Sequence, residues 1–132
     1  MQAHSTNAAQ VISLCDARLD RQRQYVLHMY PIFLIYSSHL GISMVSVDPD
    51  ADIWYPIDRK CPVCRTHWSF CLDMRTGVGR CIAAKCKVQG NVFEVAARVF
   101  SISEREAVQR LYSAAKEEEA FYAQDDKEGV DG

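Results

Sequence analysis

Cys61-Pro62-Val63-Cys64, separated by sixteen residues from Cys81 and by four more from Cys86, decides how this chain folds. A C-x2-C pair lets two thiolates grip one cation while the turn between them donates backbone N–H groups to the sulfurs. Cys81 and Cys86 lie across an expected hairpin and supply a second pair. Together Cys61, Cys64, Cys81 and Cys86 make the tetrahedral all-sulfur donor set that Zn2+ favours in structural sites. Such a site keeps no open position for water, so it points to folding and away from metal-assisted catalysis. The x4 spacing of the second pair is wider than usual, and two other donors stand close by. His67 lies three residues after Cys64, and Cys71 shares its expected strand face. Either could take the place of Cys86. As mid-strand residues they read more simply as a polar surface histidine and a half-buried thiol. Cys15 reads as a small apolar residue on a helix.

Outward from the cysteines, Arg65–Met74 alternates with period two. Trp68, Phe70, Leu72 and Met74 point one way, and His67, Ser69, Cys71 and Asp73 the other. Thr76-Gly77-Val78-Gly79 supplies a hairpin turn, with Arg80 beginning the return strand. Two helices follow. Asn91 with Glu94, and Ser103 with Glu106, are capping boxes in which cap and acid each satisfy a free backbone N–H. The first helix runs over Val92–Phe100. The second runs from Glu104 to about Ala120 and presents Ala107, Val108, Leu111, Tyr112 and Ala115 on one face.

Before the cysteines, a helix is expected from a cap at Asn7 to about Met29, with Arg18, Arg21, Gln22, Arg23 and Gln24 on its wet face. Pro31 suits the first turn of a second helix and Gly41 its end; Ile32–Tyr36 also fits a short buried strand. Ile42–Val47 alternates moderately, and Asp48-Pro49-Asp50-Ala51-Asp52 is turn chemistry rather than a carboxylate metal site. The expected fold class is α+β: a small zinc ribbon built on an antiparallel β-hairpin, with two C-terminal helices and a mainly helical N-terminal segment. The expected organisation is a helical segment over 1–47, a ribbon domain over 48–120 and an acidic flexible tail over 121–132.

The totals are those of a soluble, cytoplasmic protein. The start is polar and carries no signal-like apolar run, and Tyr25–Tyr36 is too short to span a membrane. Cysteines in that setting hold metal more often than they form disulfides. The net charge of -2 conceals a segregation. Residues 59–98 carry eight basic and two acidic side chains, residues 1–58 three and six, and residues 99–132 four and nine. The cationic charge therefore sits on the cysteine-bearing segment, as a polyanion-binding surface requires. It also suits the dianionic charge of a four-thiolate zinc centre.

From Arg59 to Tyr112 the chain resembles the zinc-binding domain of DnaG-type bacterial and phage primases, the CHC2-type zinc ribbon. The resemblance rests on Cys61-Pro62-Val63-Cys64, Ser69-Phe70, Cys81 and Cys86, Gly90-Asn91 with Phe93, and Ser103 with Glu106-Ala107-Val108 and Leu111. The family usually has histidine where this chain has Cys64, and two residues between its last two ligands. The resemblance implies recognition of a single-stranded DNA template during replication. The family's catalytic domain, which binds magnesium through carboxylates, has no counterpart here. The chain would thus be a detached, non-catalytic module, of a kind that suits a phage, plasmid or other mobile element.

Single strands are held by cations along the backbone and aromatic faces under the bases. Arg65, Arg75, Arg80, Lys85 and Lys87 are the candidates for phosphates, and Trp68 for stacking, with Phe70 and Tyr55 behind it. Phe70 reads as core; Trp68, at the edge of the stripe, fits either role. RNA is an equally charged alternative ligand. A second reading is a zinc-stabilised adaptor whose segment Tyr25–Leu40 binds a helicase or polymerase or forms a homodimer. A cysteine nucleophile at Cys71 or Cys15 lacks a completing constellation. The acidic C-terminal residues could fold over the basic hairpin and compete with DNA.

Overall fold

The computed structural model describes the backbone of residues 2–46, 50 and 52–131 and the side chains of residues 16–46, 50 and 52–123. In chain order the elements are α1 (Gln2–Met29), α2 (Ile32–Ser38), β1 (Met44–Ser46), β2 (Ile53–Pro56), β3 (Phe70–Asp73), β4 (Val78–Cys81), β5 (Gln89–Gly90), α3 (Val92–Phe100) and α4 (Glu104–Asp131). The fold is α+β. It divides into two compact units, Tyr30–Ala107 and a second formed by Met1–Met29 with Val108–Gly132.

In the Tyr30–Ala107 unit, five strands pair in sequence order as an antiparallel meander. The β3–β4 hairpin is its centre. Asp73 pairs with Val78, and the Gly77 N–H closes the loop onto the Asp73 carbonyl at 2.7 Å. Gly77 takes φ +75°, which glycine adopts without steric cost, and a Cβ there would lie 2.7 Å from Ile32 Cδ1 on α2. The return strand therefore starts at Val78, two residues before Arg80. The outgoing strand is also shorter than the period-two pattern predicts, because Trp68 sits at φ 61° and breaks the alternation before Phe70. Phe70 and Leu72 face the core, whereas Trp68 leaves it.

Pro31 caps α2 and lacks the N–H that would extend α1, so the chain turns there. The apolar run Ile32–Tyr36 is helical and not a strand. It ends where Gly41 (φ +72°) lets the Ile42 N–H reach the Tyr36 carbonyl at 2.8 Å. Ile35 and Tyr36 are fully buried, with Tyr36 tilted against Phe70 and Phe33 stacked on Trp54. On α3, Val92, Phe93, Val95 and Ala96 are buried as well. Each large apolar side chain so buried contributes about 1.5–3 kcal/mol. Residues 30–46, grouped in sequence with the N-terminal helix, thus pack with the sheet. Of the Asp48–Asp52 turn, residues 47–49 and 51 lie outside the described residues. Asp52 holds the Met74 N–H through its carbonyl at 2.7 Å.

In the second unit, Val26 on α1 and Leu111 and Ala115 on α4 are buried. Tyr25 meets Tyr112 edge to face with ring centroids 5.4 Å apart. Both long helices exceed their expected ends. α1 begins at Gln2 and not at an Asn7 cap, and α4 continues past Ala120 to Asp131. Neither extension contains proline, the residue that would break a helix there. The backbone of residues 121–131 is helical. The side chain of Cys15 lies outside the described residues. No helix among the described residues is long and apolar enough to cross a membrane.

Candidate metal centre

The sulfurs of Cys61, Cys64, Cys81 and Cys86 all lie within 4.8 Å of one another. Cys61 and Cys86 are 4.0 Å apart, and Cys64 and Cys81 3.7 Å. A disulfide requires about 2.05 Å. A tetrahedron with Zn–S bonds of about 2.3 Å has edges of about 3.8 Å. The four sulfurs are thus spaced to share one cation, and their chemistry suits a soft or borderline metal. Neither expected competitor joins them. His67 is exposed and bridges Lys60 through its backbone. Cys71 is half-buried on β3, paired across to Arg80.

Two similar loops deliver the cysteines. In the first, the Cys61 N–H bonds to the Thr66 carbonyl (3.0 Å) and the Arg65 N–H to the Cys61 carbonyl (2.9 Å). In the second, the Cys81 N–H bonds to the Val88 carbonyl (2.8 Å). The Cys86 and Lys87 N–H groups both reach the Ala83 carbonyl at 3.0 Å. Each loop closes two residues beyond its last cysteine, so the two extra residues of C-x4-C are taken up in the turn around Ala83. The donors to sulfur follow one rule. Val63 N–H points at Cys61 Sγ (3.3 Å) and Ala83 N–H at Cys81 Sγ (3.4 Å). Thr66 and Val88 donate in the same way to Cys64 and Cys86. Every sulfur thus receives the N–H of the residue two positions on.

The four sulfurs differ in surroundings. Burial pushes the Cys61 thiol up to about 12. Burial also works to raise Cys64, but hydrogen bonds from Thr66 and the neighbouring Cys81 and Cys61 sulfurs bring it down to about 6. Cys86 is raised by burial. Buried Ser69 sits 3.3 Å from Cys81 Sγ and donates to the Thr66 carbonyl, tying the two loops together. Arg98 on α3 reaches the Cys86 carbonyl at 3.4 Å.

The residues expected to meet a nucleic acid fall into three groups. Arg65 and Lys87 each follow the last cysteine of a loop, and Lys85 precedes Cys86; all three are exposed. Arg65 is paired with Asp58 at 3.3 Å. Arg80 is exposed on β4, and Arg75 lies in the hairpin loop, 3.9 Å from both Asp52 and Asp73. Trp68 is 72% exposed, and Phe70 belongs to the core. Arg59, not among those candidates, lies beside Trp68. The Arg59 guanidinium lies 5.2 Å from the Trp68 ring centroid and 6.0 Å from that of Tyr55. Its Nη1 is buried with no hydrogen-bond partner among the described residues. Nothing in the sequence couples residues nine apart in an irregular segment, although Arg59 opens the cationic stretch. No family model, no curated protein and no solved structure matches this chain.

Proposed function

We propose that this protein is a non-catalytic zinc-ribbon module that binds single-stranded nucleic acid, DNA in preference to RNA, as a detached primase-like accessory of replication. One observation carries the reading. Among the described residues, five non-glycine residues have positive φ: Arg59, Arg65, Trp68, Lys87 and the helix cap Ser101. The first four surround the cysteine loops, and all are cationic or aromatic. A left-handed conformation costs such residues about 1–2 kcal/mol each relative to glycine. Stability alone would favour glycine or asparagine there. Strain of this kind concentrates at functional sites, and the side chains retained are those that hold phosphates and stack on bases. The orphan Arg59 N–H beside an exposed tryptophan suits a phosphate near a stacked base.

The four thiolates serve as the frame. With zinc bound they would be saturated, so its contribution is rigidity. Titration of the zinc-loaded chain with a fluorescent oligothymidine at low salt tests the proposal. Binding that weakens as salt rises is expected, and binding that is absent or insensitive to salt rejects it. Elemental analysis should give about one zinc per chain.

The adaptor reading has its own support. Leu27 and Phe33, within Tyr25–Leu40, are 41% and 36% exposed. Light scattering after size exclusion tests it: a dimer lost on Leu27→Glu or Phe33→Glu supports that use of the segment.

A further inference from the structure

The helical unit carries a cationic groove that plays no part in the ribbon. Arg18, Arg21, Gln22 and Tyr25 fall at i, i+3, i+4 and i+7 on α1, and so share one face. With Tyr112 of α4 they line a groove of about 400 Å³. The Lys116 ammonium, one turn on from Tyr112, lies 4.5 Å from the Tyr25 ring centroid and 5.8 Å from that of Tyr112. No carboxylate lines the groove among the described residues. Glu119 pairs with Lys116 at 3.7 Å. Asp20, close in sequence, is engaged with Arg23 at 3.9 Å. The Tyr25 hydroxyl is buried and has no hydrogen-bond partner among the described residues.

Two arginines thus line a groove beside two aromatic rings, with an ammonium over those rings and an orphan phenolic donor on one of them. Arginine forks match phosphate oxygens bidentately, and a buried hydroxyl without a partner is stabilised by an acceptor that a ligand brings. We propose that the groove between α1 and α4 is a second anion site that takes the phosphate group of a nucleotide. Arg18 and Arg21 hold the oxygens, Tyr25 donates its hydroxyl, and the Tyr112 edge borders the base. The assignment does not rest on the ribbon's function, because the groove shares no residue with it.

The test is a nitrogen–proton correlation NMR titration of the zinc-loaded full chain, with arginine Nε–H signals included. AMP, inorganic phosphate and an oligothymidine are added separately, each to several millimolar. AMP should shift Arg18, Arg21, Tyr25 and Tyr112 with a Kd of about 1 mM or tighter, where 1 mM corresponds to about -4 kcal/mol. Phosphate alone should bind more weakly at the same residues. An oligothymidine that moves these signals identifies the nucleotide as part of a strand; one that does not identifies it as free. Arg18→Gln with Arg21→Gln should weaken AMP binding at least about tenfold. Tyr25→Phe, which keeps the ring packing, should weaken it several-fold. Lys87→Gly should leave AMP binding unchanged, so failure of the ribbon reading is distinguishable. Absence of AMP shifts, shifts confined to Arg65 and Lys87, equal affinity for phosphate and AMP, or full AMP affinity in Tyr25→Phe and the arginine variant overturns the proposal.

Discussion

Trp68 stands out at the scale of single residues, because a large apolar ring 72% exposed contributes little to the core. Trp68→Ala should therefore leave thermal stability nearly unchanged. The same substitution should cost about 1–3 kcal/mol of single-strand affinity, as loss of a stacking aromatic does. Lys87→Gly makes an opposite pair of changes: relief of the left-handed strain raises stability by about 1 kcal/mol, while affinity falls. A Lys87→Gly variant that loses stability would show that the lysine serves the fold. Metal content separates the sulfurs. Cys86→Ser should fall well below one zinc per chain, whereas Cys71→Ser and His67→Ala should retain it. The four clustered cysteines were legible because spacing along the chain reports where two pairs can meet. The placement of Trp68 stayed open between core and surface, because a single left-handed residue defeats a period-two pattern, and nothing in the composition of Arg65–Ser69 announces it.

Helix α3 could be read from sequence to its last residue, because its signals are local. Asn91 Oδ1 accepts the Glu94 N–H at 3.0 Å, and the Glu94 carboxylate accepts the Asn91 N–H at 3.2 Å. Asn91→Ala should cost about 1 kcal/mol, seen as a lower midpoint in urea with an unchanged slope. The strands behave differently. β5 has two residues and β1 three, and their pairing depends on partners far along the chain. No run that short carries a periodicity of its own. Gly79 shows how tightly the sheet meets α2. A Cβ there would lie 2.7 Å from Phe70 Cζ and 2.8 Å from the Tyr36 hydroxyl. Gly79→Ala should destabilise by about 1–3 kcal/mol, as overpacking does, with zinc content preserved under native conditions.

For the whole molecule, the candidate metal site and the cationic segment fall in the same unit, Tyr30–Ala107. All four candidate ligands lie within Tyr30–Ala107, so chelation should lower the melting transition of that unit. A ligand that binds only the folded state, present at a thousand times its Kd, contributes about 4 kcal/mol. Acid should act in the same direction, because protonated thiols release the cation. The arrangement of charge makes the last prediction quantitative. Overall the chain is acidic at -2, yet eight of its fifteen basic residues lie in residues 59–98 with two acids. A strand attracted by net charge alone would be repelled, so any binding must come from a few fixed contacts. Arg59, Lys85 and Lys87 make no ion pair among the described residues, whereas Arg65 and Arg75 are engaged with aspartates. Three or four phosphates neutralised on a single strand give a slope of log K against log salt of about -2 to -3. Lys87→Gly should make that slope shallower by about 0.7, and Arg75→Gln should leave it nearly unchanged. A slope near -6, or one equally reduced by both substitutions, would mean that the strand follows the entire basic segment and not the cysteine loops.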